Sequence, residues 1–202
     1  MRFTKIPENT FKELIMNAGV FATNFDPTGT TTFDNGDILA ATSSGVTFAD
    51  KITYKDMGDG IANCPLNMKE LKRVDQHEVS MSGEALTVTS TNLPIFMAHA
   101  DASTVSGTTG LTKIVPRNDL ADADFKTIWW IGDYSDKNGE TKGGFLAIKL
   151  MNAINGDGFS FESTDKDKGK FKFNFIGHYS MTAQTTVPYE IYLMTGVEEP
   201  SV

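Results

Sequence analysis

The sequence predicts a mainly β protein: an antiparallel β-sandwich or barrel with one flanking α-helix, a long β-hairpin loop and an N-terminal arm. Three observations lead there. Runs of alternating apolar and polar residues recur, as in Lys170 to Ile176, where Phe171, Phe173 and Phe175 share one parity. Turn-forming clusters separate these runs, at Asp136-Lys137-Asn138-Gly139, Asn155-Gly156-Asp157-Gly158 and Asp165-Lys166-Asp167-Lys168-Gly169. Helical patterning is confined to two short stretches, and strands so punctuated build sandwiches or barrels.

Taken in order, Pro7 to Ala18 places Phe11, Leu14, Ile15 and Ala18 at i, i+3, i+4 and i+7. Pro7 and Glu8 suit a first turn and Gly19 a stop, so a short amphipathic helix is expected. Asn24 to Asn35, with Asp26-Pro27-Thr28-Gly29, reads as loop and turn. Residues 1–35 are therefore expected to form an arm and residues 36–202 a single β-sandwich domain. From Val46, the residues Val46, Phe48, Ile52 and Tyr54 share one parity and Thr47, Lys51, Thr53 and Lys55 the other, the mark of a half-buried strand. A second strand is expected from about Glu70 to Thr91, with Val79 and Met81 in register and a bulge at Gly83 shifting the pattern to Leu86 and Val88. Asp56 to Asn67, holding Gly58, Gly60 and Pro65, is the long hairpin tip. Asn92 and Pro94 head a helix expected over Leu93 to Ala102, and Ala102 to Thr112 reads as a Ser/Thr/Gly loop. Further strands are expected at Lys126 to Ile131, Gly144 to Leu150, Phe159 to Glu162, Lys170 to Ile176 and Val187 to Leu193.

Composition narrows the function. The 202 residues carry 18 Lys plus Arg against 26 Asp plus Glu, a formal net charge of -8, and no basic cluster suited to neutralising phosphates. Tight nucleic-acid wrapping is not expected, whereas repulsion from DNA is. Cys64 is the only cysteine, so no intrachain disulfide or paired-thiolate zinc site can form. Met1 to Pro7 lacks the apolar core of a signal peptide and no long apolar run follows, so neither secretion nor membrane insertion is expected.

No catalytic, cofactor or metal constellation emerges. His77, His99 and His178 lie far apart in sequence, without zinc-ligand spacing, and are expected to be structural. Cys64, between Asn63 and Pro65, lacks a recognisable base. The stretches Asp165 to Gly169 and Asp133 to Glu140 depart from a calcium loop in spacing and carry lysines. Gly107-Thr108-Thr109-Gly110 lacks the Gly-Lys-Ser/Thr ending of a phosphate loop. Trp129 and Trp130, adjacent on a strand, must point to opposite faces, with the outer one under the helix, at another subunit, or forming a sugar-binding platform.

Several segments in order carry a resemblance: Lys5 to Leu14 (KIPENTFKEL), Gly36 to Thr42 (GDILAAT), the hairpin Asp59 to Leu71 ending NMKEL, Pro116 to Leu120 (PRNDL), Trp129 to Tyr134 (WWIGDY), Gly143 to Lys149 (GGFLAIK) and Gly177 to Ser180 (GHYS). Together they resemble the major tail proteins, or tail tube proteins, of long non-contractile-tailed bacteriophages (siphophages) of Gram-positive bacteria, over most of the chain. The resemblance implies a non-enzymatic virion structural protein without cofactors, assembled in the host cytoplasm into the virion tail. Its copies would form hexameric rings stacked helically into a hollow tube around a tape-measure protein. Tail terminator and distal tail or baseplate proteins would join the tube ends, and double-stranded DNA would pass through without specific binding. On this reading, Met57, Gly58, Asp59, Gly60, Ile61, Ala62, Asn63, Cys64 and Pro65 form a ring-stacking tip. The strands Val46 to Asp56 and Glu70 to Thr91 would line the lumen, and Asp50, Asp56, Asp59, Asp75, Glu78 and Glu84 are candidate lumen acids. Two alternatives remain: the inner tube of a contractile tail or injection system, which would have a neighbouring sheath gene, and a carbohydrate-binding β-sandwich, which would bind glycans as a monomer.

Overall fold

The structure is a computed structural model that describes residues 14–29, 33–134 and 144–195. It is mainly β, as expected, and among the described residues two antiparallel sheets are flanked by one α-helical turn. The first sheet runs β2 (Ile38–Ala40), β1 (Ile15–Ala22), β7 (Lys126–Tyr134), β8 (Gly144–Asn155) and β11 (Tyr189–Met194). The second runs β3 (Thr42–Asp56), β4 (Lys72–Ala85), β10 (Lys170–Ile176) and β9 (Ser160–Glu162). Strand β8 belongs to both: Phe145 to Leu150 pair with β11, whereas Ile154 and Asn155 pair with β10. A separate hairpin joins β5 (Ala100–Thr104) to β6 (Thr112–Pro116).

The core fills the space between the sheets. Phe21 from β1, Val79 and Met81 from β4, Ile128 from β7, Leu150 from β8 and Phe173 and Phe175 from β10 are buried together. Phe21 stacks on Phe173 at 4.7 Å between ring centroids, and Phe96 of the single helical turn α1 (Leu93–Phe96) closes the end at 5.8 Å from Phe173. Such offset and tilted pairs add to area burial. Buried Asn155 is satisfied on both sides of its amide, donating to the carbonyls of Phe96 (2.6 Å) and Gly158 (2.7 Å) and accepting from the Asn174 amide (3.0 Å). A polar group at that depth is tolerated because both its Nδ2 and its Oδ1 have hydrogen-bond partners.

Several expectations are corrected. The helix expected over Pro7 to Ala18 gives way, from Ile15, to β1, which pairs with β7 within the first sheet; residues 7–13 lie outside the described residues. A local 3.6-residue period lost to the unpaired edge of β7, and tertiary pairing routinely overrides so short a helical signal. Gly19 is consequently a bulge glycine: it has φ +74°, register shifts between Met16 and Val20, and a Cβ there would stand 2.5 Å from Trp130 Nε1. The helix expected to reach Ala102 ends at Phe96, because Ala100 onward pairs with β6. Much of the segment read as a Ser/Thr/Gly loop is this hairpin, its Thr-rich strands too polar to alternate visibly. The bulge expected at Gly83 lies across the ladder, where Ser43, Ser44 and Gly45 oppose the single residue Glu84. Gly83 is required for another reason, since a Cβ there would meet Phe173 Cζ at 2.9 Å. The turn expected at Asp136 to Gly139 lies outside the described residues.

Two glycines separate strain from collision. Gly107, with φ +84° and open space around it, should lose about 1 kcal/mol of stability as Gly107→Ala. Gly19→Ala adds overlap with Trp130 and the Ile131 carbonyl, and should cost more, about 2–4 kcal/mol, with a shift in tryptophan emission. Denaturant titration with fluorescence detection compares them directly, and equal costs would refute the packing role of Gly19.

Candidate assembly surface: a projecting two-stranded arm

The feature that sets this molecule apart from a closed sandwich is the length of β3 and β4. Val46 and Phe48 pack against the core, and Val79 and Met81 lie inside it. Beyond Asp50 on β3 and Val79 on β4, the hairpin continues with its residues mostly exposed. The inward parity persists all the same. Ile52, Tyr54 and Val74, on the face that points into the core lower down, are 37%, 53% and 53% exposed. Lys72 Nζ sits 4.9 Å above the Tyr54 ring, covering part of it. An extra residue in β4, Asp75, interrupts the register between Thr53 and Tyr54. Alternation thus produces an apolar face that the described residues leave exposed.

At its end the arm carries an ordered tip, Met57 to Leu71, longer than the Asp56 to Asn67 expected. The Met57 amide donates to the Leu71 carbonyl (3.0 Å), closing the neck. Asp56 organises the interior: one carboxylate oxygen accepts from the Gly58 amide (2.9 Å) and the other from the Asn67 amide (2.7 Å). These two amides, the Asn67 bond first, hold the Asp56 carboxyl below its ordinary range. Gly58 is tucked beneath Cys64, where a Cβ would meet the sulfur at 2.8 Å. Around this frame Met57, Ile61, Leu66 and Met68 are exposed, and Tyr54, Met57, Asp59, Leu66 and Asn67 border a shallow concavity.

Of the tip residues expected from sequence, Asp59, Gly60, Ile61, Ala62, Asn63 and Pro65 are exposed with Met57, while Gly58 is buried and Cys64 half-buried. Missed were Ile52, Tyr54, Val74, Leu66 and Met68. Ile52 and Tyr54 were visible as continued alternation, whereas Val74 reaches the same face only because Asp75 shifts the register; nothing in sequence told that the covering sheet would stop.

The candidate lumen acids do not form one surface. Asp50 is drawn inward, bonded to His77 and Tyr189. Asp56 is spent on the tip, Glu84 accepts from Ser43 and pairs with Lys170, and Glu78 pairs with Lys51. Asp59 and Asp75 are exposed to solvent. Over Lys51 to Glu78, the carboxylates Asp56, Asp59, Glu70, Asp75 and Glu78 are matched by Lys51, Lys55, Lys69, Lys72 and Arg73, so the chain's surplus negative charge lies outside the arm.

Trp129 is 5% exposed, in a small outer cluster with Phe25, Phe145 and Tyr192, and Lys149 Nζ lies 5.6 Å from its ring. Its cover comes from Phe25 and Tyr192, not from the helix. Trp130 faces the main core and its indole N–H donates to the Ala18 carbonyl (3.0 Å). Neither ring is the exposed platform that sugar stacking requires, which removes that support from the carbohydrate reading. His178 is held by the Asn152 carbonyl (3.1 Å) and an edge contact to Phe125. Among the described residues, no group of three or more His, Cys, Asp or Glu side chains could hold a metal ion, and no helix is long and apolar enough to cross a membrane.

Because the Asp56 carboxyl lies low, the order it gives the tip is fully present above the ordinary value of 3.8 and is lost as pH falls through the depressed one. Amide exchange at Gly58 and Asn67 should accelerate over that window in the wild type and be fast at every pH in Asp56→Ala; slow exchange in the variant would show that the tip is held otherwise. Compared with known proteins, the chain matches no protein-family model and no curated protein.

Proposed function

We propose that this chain is a virion structural subunit whose copies form hexameric rings that stack into the hollow tail tube through which double-stranded DNA passes. One observation carries the reading: a two-stranded arm leaves the sandwich with Ile52, Tyr54 and Val74 uncovered on its core-facing side. Exposed apolar faces of this kind, rimmed by charge, are typical of surfaces that bind another protein. A repeating, non-reciprocal contact, in which an arm engages a different surface on the next copy, generates rings and filaments.

The sheet edges support the same reading. Among the described residues β3 and β11 each pair on one side only, and β11 exposes Ile191 and Leu193. Edges left open in a monomer can be paired by a neighbour. The second lining strand, β4, is consumed by β3 and β10 over Ser80 to Ala85 and offers an edge only beyond them. The acidic surplus sits on the body, so any repulsion of phosphate by the lumen is contributed there and not by the arm. Tape-measure, terminator and distal tail proteins are the further partners this role requires.

Negative-stain microscopy of the purified protein should reveal long hollow tubes, and their absence at every concentration and salt tested overturns the reading. Deleting Gly58 to Pro65 should leave a cooperatively folded monomer that forms none. Leu66→Asp, at a side chain 72% exposed in the monomer, should leave the melting temperature unchanged and raise the critical concentration for polymerisation about tenfold or more.

A further inference from the structure

Asp50 stands where the hairpin changes from core wall to projection. On the β3–β4 ladder Asp50 faces Val79 and Ile52 faces His77, so Asp50 and His77 are diagonal neighbours on one face. His77 Nδ1 lies 2.9 and 3.1 Å from the two carboxylate oxygens of Asp50. From the other sheet, the Tyr189 hydroxyl donates to the same carboxylate at 3.0 Å. The side chains of His77 and Asp50 are only 19% and 12% exposed. Tyr189 is itself anchored: its ring packs 5.2 Å from Phe48, its backbone pairs with Leu150, and Pro188 before it is fully buried. Burial first, then the bond to Asp50, holds the Tyr189 hydroxyl above its ordinary value, so it remains a donor.

Above this point no sheet of the described residues lies against the hairpin, and a two-stranded ribbon without a packed face is weakly held in direction. We propose that Asp50, His77 and Tyr189 form a clasp that fixes the direction in which the arm leaves the body, holding it ready to engage the next copy. The inference rests on the tail-tube reading for its purpose but not for its geometry. Apolar packing alone slides and rotates at small cost, whereas two directional donors, the His77 Nδ1–H and the Tyr189 hydroxyl, converging from different elements on one half-buried carboxylate define an angle. His77 is then a positioning residue and Asp50 is not a lumen acid. The energetic consequence is preorganisation: if losing the clasp leaves about a tenth of the arms in the docking direction, apparent affinity falls about tenfold with every contact residue intact.

The test is a distance distribution between two spin labels on the dilute, unpolymerised chain. In a Cys64→Ser background the labels go on Ala62→Cys at the tip and Thr164→Cys on the body, both exposed. The parent should give one narrow distance. Tyr189→Phe, which keeps the ring on Phe48 and removes only the hydroxyl, and Asp50→Asn should each widen it or add a second population. Phe175→Leu, which weakens the core elsewhere, should lower the melting temperature and leave the distribution narrow. A parent distribution that is already broad, or one unchanged in both clasp variants, overturns the clasp. In the unlabelled chain, Tyr189→Phe should raise the critical concentration for polymerisation about tenfold. Because the distance is read on monomers, failure of the wild type to form tubes would defeat the functional reading while leaving the clasp to be judged on its own measurement.

Discussion

A mismatch in length organises this molecule. The hairpin of β3 and β4 is longer than the sheet that covers it, yet its side chains alternate without interruption along β3 from Val46 to Tyr54. In its lower half that alternation makes a wall of the core, and in its upper half the same parity leaves Ile52 and Tyr54 in solvent. A strand has two faces at every position, so an apolar face can be lost only by covering it or by changing the sequence. Among the described residues neither has happened, and under the proposed function the cover is supplied by the next copy.

Holding such an arm demands rigidity at its root, and the body supplies it through β8. One continuous strand pairs with β11 along its first half and with β10 at its end, coupling the sheets across the Phe21, Phe173 and Phe175 cluster. Asn155 closes that corner with an amide bonded through both its nitrogen and its oxygen. Tyr189 enters β11 from buried Pro188 and reaches the hairpin at Asp50. The path from body to arm is therefore strand, ring and carboxylate, each fixed by the one before it.

Charge is arranged with similar economy. Carboxylates that the composition offered as a repulsive lining are mostly occupied: Asp56 shapes the tip, Glu84 and Glu78 face lysines, and Asp50 ties two sheets. The arm is left without net charge, and two neutral arms or an arm and an acidic body can approach without the self-repulsion that a surplus of one sign imposes.

The amino-acid sequence by itself determined the β class, the hairpin and the positions of most later strands, because alternation and turn chemistry act over a few residues and need no distant partner. Lys170 to Ile176 is the clearest instance, its bounds the same in both readings. Gly19 was recognised as a residue that ends regular structure, but whether it ends a helix or bulges a strand depended on Trp130, which is 111 positions away and occupies its missing side chain. The arm's exposed face was written in Ile52 and Tyr54 as plainly as the buried face in Phe48. Only the tertiary structure decided where burial stops, since that boundary belongs to the opposing sheet and not to the residues it covers. The clasp was equally invisible, for Asp50, His77 and Tyr189 lie far apart along the chain and meet only when two sheets are stacked.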